Sequence, residues 1–245
     1  MKKPKLLFVH GFRGNHLGLK ETRDYLENLG YDCYAPDIPP AFNTQAEKVP
    51  ELEGYTADAY AKWIADYIKM HKLDRPILIG HSMGSIISAA TAEKYPDLIN
   101  DKIFLLSPIC VTPPKFICNL APLSVILPNK MIGYLTTKYL LIKKDKETLK
   151  KTLELTYKCT EKFTSKRNTG HAAKFSISYA ISDFNFKKNC VFIAGDTDKL
   201  NSRDQVKSVA EKFGTEPIFI EKSGHLINYE EPIKLAEIIA EKLED

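Results

Sequence analysis

Short apolar segments alternate with longer segments whose apolar residues recur at helical spacing along most of the chain. Runs of apolar and β-branched residues predict strands, whereas apolar residues three or four positions apart predict helices. The predicted strands are residues 5–9, 31–37, 76–80, 102–107, 190–195 and 217–221. The predicted helices are residues 17–29, 57–70, 85–95, 205–213 and 232–243. Because the strands are apolar almost throughout and alternate with helices, they predict an α/β fold with a mostly parallel, six-stranded sheet flanked by helices.

The segment between the fourth and fifth predicted strands, residues 109–185, is much longer than one connecting helix requires. A crossover between parallel strands needs only about a dozen residues. The first part of the segment, residues 116–142, is apolar and aromatic but interrupted by prolines, and amphipathic parts follow it. We therefore expect residues 109–185 to form a helical cap insertion over the C-terminal edge of the sheet, with residues 1–108 and 186–245 forming the core.

A chain of 245 residues, 44% of them hydrophobic, can bury the core of one large domain. The apolar run at residues 6–9 is too short for the hydrophobic region of a signal peptide. No stretch approaches about eighteen uninterrupted apolar residues, so no membrane span is expected. The five cysteines are scattered and lack CxxC spacing, which favours reduced thiols and a cytoplasmic location.

The formal net charge of +4 is unevenly distributed. Residues 109–185 hold thirteen Lys or Arg and five Asp or Glu, a surplus of eight, so the rest of the chain carries −4. A basic cap is most often a solvated face; attraction to an anionic substrate, or weak contact with an anionic membrane surface, is the alternative. Nucleic-acid binding would need clustered basic residues with aromatic or arginine readers, so no nucleic-acid partner is expected.

The pentapeptide Gly-His-Ser-Met-Gly at residues 80–84 lies between the third predicted strand and the helix after it. In that position the pattern is typical of a nucleophile elbow, a tight turn that raises a serine hydroxyl above the sheet. Gly80 and Gly84 are needed where a Cβ would collide with neighbouring backbone. The alternative is an ordinary glycine-rich turn with an incidental Ser82.

Two further polar groups follow the last two predicted strands. Asp196 and Asp198 come directly after residues 190–195, and His225 follows residues 217–221. A serine becomes a useful nucleophile when a base removes its proton and a third group orients that base. The order Ser, Asp, His, each after its own strand, is that of an α/β-hydrolase triad. The spacing Gly-x-x-Asp favours Asp198 over Asp196 as the acid.

The sequence His10-Gly11-Phe12 follows the first predicted strand. There the backbone amides of Phe12 and Met83 are candidate donors of an oxyanion hole. His10 is expected to be a structural hydrogen-bonding residue, and His81 is expected to point away from the site. Arg13 is a candidate for contact with an acidic substrate group, although an exposed loop arginine is an equally good interpretation. No pair of histidines has the spacing of metal ligands.

These motifs together resemble the α/β-hydrolase fold superfamily, in the serine esterase and lipase branch with an HGF oxyanion loop and a GHSMG elbow. They span nearly the whole chain apart from the cap. The resemblance implies that Ser82 is the nucleophile, that His225 is the general base and then the acid, and that Asp198 orients the imidazole. The antiparallel N-terminal hairpin of the full fold is expected to be absent, a compact form that resembles small esterases and hydroxynitrile-lyase relatives.

The expected function is therefore that of a serine hydrolase that cleaves small-molecule carboxylic esters through an acyl-enzyme. The apolar cap favours an apolar acyl or aryl group, as in carboxylesterases and monoacylglycerol lipases, and no metal or organic cofactor is implied. Two alternatives stay open: a C–C bond hydrolase or lyase with the same triad, and a ligand receptor or binding module that keeps a residual triad. The sequence does not indicate an oligomeric state.

Overall fold

The computed structural model describes residues 3–41, 48–121, 129–142, 145–160 and 166–245. Within these ranges six strands form one sheet in the order β2-β1-β3-β4-β5-β6, and every neighbouring pair is parallel. The strands are β1 Leu6–Val9, β2 Cys33–Tyr34, β3 Ile77–His81, β4 Lys102–Leu106, β5 Asn189–Gly195 and β6 Ile218–Ile220. The predicted α/β class and six-stranded sheet are confirmed.

Helices cover both faces of the sheet and one of its edges. They are α1 Lys20–Asn28, α2 Ala57–Met70, α3 Met83–Lys94, α4 Lys115–Leu120, α5 Asn129–Leu140, α6 Lys146–Thr160, α7 Lys166–Ser178, α8 Arg203–Lys212, α9 Ile227–Glu230 and α10 Pro232–Glu244. In the described part of the chain, 3₁₀ turns cover His16–Leu19, Pro96–Leu98 and Ile181–Asp183. In the described ranges, no helix combines the length and the apolar character that a membrane crossing requires.

The sheet separates two hydrophobic clusters, because successive side chains of a strand point to opposite faces. Leu7 and Val9 of β1 pack with α2, α3 and α8 on one face. Leu6 and Phe8 pack with α1 and α10 on the other. All four side chains are fully buried, which explains why β1 is apolar at every position rather than at alternate ones.

The second strand is shorter than predicted. Residues 31–37 were expected to be extended throughout, but only Cys33–Tyr34 pair, and they pair with β1 alone. Pro36 has no N–H to donate to a ladder. The carboxylate of Asp37 accepts a hydrogen bond from the backbone N–H of His16 at 2.8 Å. The end of the predicted strand is therefore bonded to the segment before α1 and not to a neighbouring strand.

Helices α4 to α7 lie between β4 and β5, where the cap was predicted. Their backbone is hydrogen-bonded to the loops that follow β1, β5 and β6. The three bonds join Asn15 Nδ2 to the carbonyl of Leu155 (2.8 Å), Lys199 Nζ to the carbonyl of Tyr139 (2.8 Å), and the N–H of Ile142 to Glu230 Oε1 (2.5 Å). These helices therefore cover the edge of the sheet at which the strands end.

The division of the chain into a core and a cap of residues 109–185 stays a prediction. Parts of that segment, residues 122–128, 143–144 and 161–165, lie outside the described residues.

Gly84 allows helix α3 to pass directly against β1. A Cβ at residue 84 would overlap the carbonyl oxygen of Val9 and lie 2.9 Å from the carbonyl oxygen of His10. Both contacts are with backbone atoms, which cannot rotate away as a side chain could. Gly84 therefore lies where the backbone of β1 leaves no space for a Cβ.

We expect Gly84→Ala to lower the free energy of unfolding by about 3 kcal/mol or more, because overpacking against rigid backbone forces the strand and helix apart. Gly214→Ala is the matched control: Gly214 has a φ of +68° but open space around its Cα. The control should lose only about 1 kcal/mol, the cost of a left-handed conformation for alanine. Urea unfolding of both variants checks this. Equal losses would contradict the steric account.

Candidate active site

Ser82 occupies the turn between β3 and α3, in a backbone conformation that residues other than glycine rarely adopt. Its φ is +54° and its ψ is −118°. The N–H of Ser82 donates to the carbonyl of Leu106 at 2.9 Å, and its carbonyl accepts from the N–H and the hydroxyl of Ser85 at 2.8 and 2.6 Å. Strained residues of this kind persist when their surroundings hold them, and they cluster at functional sites.

The hydroxyl of Ser82 begins a short chain of hydrogen bonds. Ser82 Oγ lies 2.8 Å from His225 Nε2, and His225 Nδ1 lies 2.8 Å from Asp198 Oδ2. Both His225 and Asp198 are buried. A nucleophile, a base within hydrogen-bond reach and a third group that orients the base form the arrangement that activates a serine. The structure thus brings together the three side chains predicted as catalytic.

Asp198 is held by the backbone as well as by His225. Its Oδ1 accepts from the N–H groups of Leu200 at 2.7 Å and Asn201 at 3.4 Å. Burial disfavours the charge, but the hydrogen bond and the attraction to His225, with the two amides, outweigh it and lower the pKa of Asp198. Asp196, the alternative acid, instead accepts from the N–H of Ser223 at 3.3 Å. The residue beside the histidine is Asp198.

Two backbone amides lie next to Ser82, as the sequence predicts for an oxyanion hole. The N–H of Met83 is the first of helix α3, where the helix dipole favours negative charge. Gly11 packs so closely that a Cβ there would lie 3.1 Å from Ser82 Cβ, which brings the following residue, Phe12, to the same pocket. Within the described part of the chain, neither amide donates to a protein acceptor.

His10 has a structural position behind this loop. Its Nε2 accepts from the N–H of Ile38 at 2.8 Å, so the proton is on Nδ1, which faces the carbonyl of Gly11 at 2.9 Å. Burial lowers the pKa of His10, which keeps the ring neutral. Arg13 lines the same pocket with a φ of +58° and its guanidinium 5.5 Å from the centre of the Phe12 ring.

His81 was expected to point away from the site, and that expectation is wrong. His81 lines the pocket, its ring lies 5.6 Å from the ring of His225, and its Nε2 lies 3.1 Å from the carbonyl oxygen of His225. Burial, with the nearby His225, lowers the pKa of His81 to about 3. The neutral ring therefore donates from Nε2 and holds the backbone of His225 from the side of the sheet.

A pocket of about 380 Å³ lies beside Ser82 and His225. Its walls are mostly apolar and come from the segment after β1, from the helices between β4 and β5, and from the segments after β5 and β6. They include Ala121, Leu140, Ala173, Ile177, Leu200 and Leu226. Pockets of this size and character hold small organic molecules.

Glu230 is a buried polar residue that the sequence reasoning did not single out. Its Oε2 accepts from the N–H of Gly224 at 2.7 Å and from the hydroxyl of Ser223 at 3.3 Å, while Oε1 accepts from the N–H of Ile142. A glutamate in a polar, helix-forming run looks like a surface residue. The signal that could have found it is its position five residues after His225, close enough to turn back on the histidine loop.

Comparisons with known proteins agree with this architecture. A family model described as the alpha/beta hydrolase fold matches residues 4–119. The human protein named ABHD8 is 34% identical over 100 residues, which are 41% of this chain and 22% of that protein. "Putative esterase/lipase 2" of Mycoplasma pneumoniae is 29% identical over 87 residues, 36% of this chain and 31% of that protein. The chain thus spans about a fifth and about a third of the lengths of these curated relatives.

Two solved structures resemble the whole chain. The esterase EaEST from Exiguobacterium antarcticum has a TM-score of 0.84 at 16% identity and covers 100% of this chain and 94% of its own. A thermophilic esterase from Thermogutta terrifontis has a TM-score of 0.82 at 17% identity, covering 99% of this chain and 90% of its own. At these identities the likeness concerns the fold. Sheet order, family match and structural likeness together show that the chain has the α/β-hydrolase fold.

Proposed function

We propose that this protein is a serine hydrolase that cleaves carboxylic esters through an acyl-enzyme. The observation that carries the proposal is the continuous hydrogen-bonded path from Ser82 through His225 to Asp198, with both heavy-atom separations at 2.8 Å. The strained backbone of Ser82 supports it, because strain at a serine is hard to explain by folding alone.

In the first half of the reaction, Ser82 Oγ attacks the ester carbonyl carbon while His225 Nε2 takes the hydroxyl proton. The carbonyl oxygen becomes an oxyanion, which the N–H groups of Phe12 and Met83 stabilise. Donors of this kind each lower the barrier by roughly 3–4 kcal/mol. His225 then gives its proton to the alkoxide as the C–O bond breaks, so the alcohol leaves and the acyl group stays on Ser82.

In the second half, water takes the place of the alcohol. His225 removes a proton from the water as its oxygen attacks the acyl carbon, and the same two amides hold the second oxyanion. The bond to Ser82 then breaks, His225 returns the proton to Oγ, and the carboxylic acid leaves. Asp198, with its lowered pKa, remains ionised throughout and stabilises the imidazolium that forms twice in each cycle.

The pocket supports an apolar acyl or aryl group as the part of the substrate that is bound. Its walls are mostly hydrocarbon, and it adjoins Ser82 and His225. The names of the Mycoplasma relative and of the two structural neighbours, all esterases or lipases, favour ester chemistry over C–C bond cleavage. A lyase, a C–C hydrolase and a ligand receptor with a residual triad are the other outcomes that substrate profiling can return.

We expect Ser82→Ala and Asp198→Asn each to lower kcat for p-nitrophenyl butyrate by about 10⁴-fold or more, because each removes one member of the triad. Asp196→Asn is the matched control and should change kcat less than about threefold, since the hydrogen bond to the His225 ring comes from Asp198 and an asparagine can still accept from Ser223. Ester assays measure all three. A fluorophosphonate probe should label the native protein and not Ser82→Ala.

Each other outcome of that experiment has a meaning. Full activity in Ser82→Ala would remove the proposed nucleophile. Turnover of vinylogous diketones alone would assign C–C cleavage. Tight ligand binding without turnover or labelling would assign a receptor.

We expect kcat/KM to rise with acyl length by roughly fourfold per methylene until the pocket is full, since burying a methylene is worth about 0.8 kcal/mol. Ala173→Leu adds bulk to the pocket wall and should shift the optimum to a shorter acyl chain. Lys174→Leu, on the exposed neighbouring position of α7, should leave the optimum unchanged. An ester panel from acetate to decanoate measures both. An unshifted optimum in Ala173→Leu would mean that the acyl group binds elsewhere.

We also propose that the basic segment of residues 109–185 makes a weak contact with anionic membranes. Phe116, Leu120 and Leu135 are between 55% and 65% exposed on α4 and α5, and Lys115 and Lys138 are exposed on the same two helices. Apolar side chains beside cations are typical of surfaces that bind at a lipid interface.

The protein should therefore sediment with phosphatidylglycerol vesicles at low salt and leave them at high salt, because salt screens the attraction. Phe116→Ser combined with Leu135→Ser should weaken binding at low salt. Neutral phosphatidylcholine vesicles serve as the control. If the protein sediments with neither kind of vesicle at any ionic strength, the proposed contact is contradicted.

A further inference from the structure

The helices between β4 and β5 are bound to three of the connections that carry the site, all except the turn that holds Ser82. Asn15 reaches them from the oxyanion loop, Lys199 from the loop beside Asp198, and Glu230 from the segment that follows His225. Each of these bonds involves a backbone group of the helical segment. Of the three residues, Glu230 alone also binds the backbone immediately next to a proposed catalytic side chain, since its other oxygen accepts from Gly224.

We propose that Glu230 is a positioning residue that couples the docking of these helices to the placement of His225. Its carboxylate joins the N–H of Ile142, just after α5, to the N–H of Gly224, one residue before the histidine. The proposal rests on the proposed role of His225. It adds that the helical segment, beyond lining the pocket, holds the base in line with Ser82.

The backbone at His225 is held at two points. On the sheet side, neutral His81 donates to the carbonyl of His225 at 3.1 Å. On the helical side, Glu230 accepts from the amide that precedes it at 2.7 Å. The side chain of His225 has its own bond to Asp198, but that bond leaves the ring free to shift if the backbone shifts. Glu230 supplies the second support for the backbone.

Gly224 also packs directly against the end of α5. A Cβ on Gly224 would lie 2.6 Å from the carbonyl oxygen of Leu140 and 2.9 Å from Ile142 Cγ1. The histidine loop therefore touches the end of α5 directly, with no room for a side chain between them. A displacement of α5 is transmitted to Gly224 through this contact and through Glu230.

The chemistry of the site requires a carboxylate. Two backbone N–H groups approach Glu230 from different segments, one at each oxygen. A glutamine of the same shape has one oxygen and one NH₂ group. It can accept from only one of the two N–H groups, and its own NH₂ would face the other N–H. Buried donors without acceptors are unfavourable, so one segment must move away.

The test compares Glu230→Gln with Glu237→Gln, a matched change at a half-exposed glutamate of α10. We expect Glu230→Gln to lower kcat for p-nitrophenyl acetate by about tenfold to a hundredfold, because a displacement of the base by less than 1 Å is costly. KM for this short ester should change little. The low-field proton NMR signal of the His225 Nδ1–H should shift or broaden. Glu237→Gln should match the native protein in all three measurements.

A second variant tests the other end of the link. Ile142→Pro removes the N–H that donates to Glu230 and leaves the carboxylate in place. If both residues act through one bond, the loss of kcat in the double variant should be close to that of the more damaging single variant. Should Glu230→Gln fail to fold, Ile142→Pro alone must still lower kcat and shift the His225 signal.

The proposal is overturned if Glu230→Gln keeps its kcat and its His225 signal and loses only thermal stability, since Glu230 would then serve packing alone. Additive losses in the double variant would overturn the coupling. The NMR signal requires no turnover. If the native protein hydrolyses no ester, the proposed function fails, while the signal in Glu230→Gln still reports whether Glu230 places His225.

Discussion

Because all six strands of the sheet run in the same direction, every loop that follows a strand emerges at one edge. Parallel pairing therefore gathers groups that are far apart in sequence: the loop after β1, the turn after β3 and the loops after β5 and β6 all end beside Ser82. Ser82 and His225 are 143 positions apart, yet their side-chain atoms lie 2.8 Å apart. No local interaction could hold them so, and the site depends on the register of the whole sheet.

That dependence explains which features can be predicted from the sequence. Strands buried on both faces are apolar throughout, so their ends are visible in the sequence, and polar residues directly after them are expected at the common edge. Ser82, Asp198 and His225 were predicted in this way. His81 and Glu230 were missed because their roles depend on contacts with distant backbone, the carbonyl of His225 and the amide of Ile142. Nothing in the local sequence reports such a partner, and β2 was overestimated for a related reason: Asp37 binds the distant loop at His16.

The same edge concentrates conformations that would be unfavourable elsewhere. Ser82 has a positive φ, and two histidines and two carboxylates are buried. These are His10, His81, Asp198 and Glu230. Each is acceptable because a specific backbone group satisfies it: an N–H donates to each carboxylate and to His10, and a carbonyl accepts from His81. Buried polar networks of this kind are stable only when every member is satisfied. The site is therefore built from backbone supplied by many segments, which makes its geometry rigid but sensitive to any one of them.

The helices between β4 and β5 belong to this network rather than simply covering it. A lid that touched the rest of the molecule through apolar side chains alone could move without disturbing the groups beneath it. Here Asn15, Lys199 and Glu230 connect three loops of the site to the backbone of that helical segment. Any movement of this helical segment away from the sheet must break these bonds. The walls of the pocket and the groups proposed to act on a substrate are thus parts of one hydrogen-bonded unit, so a displacement of the helical segment reaches the site itself.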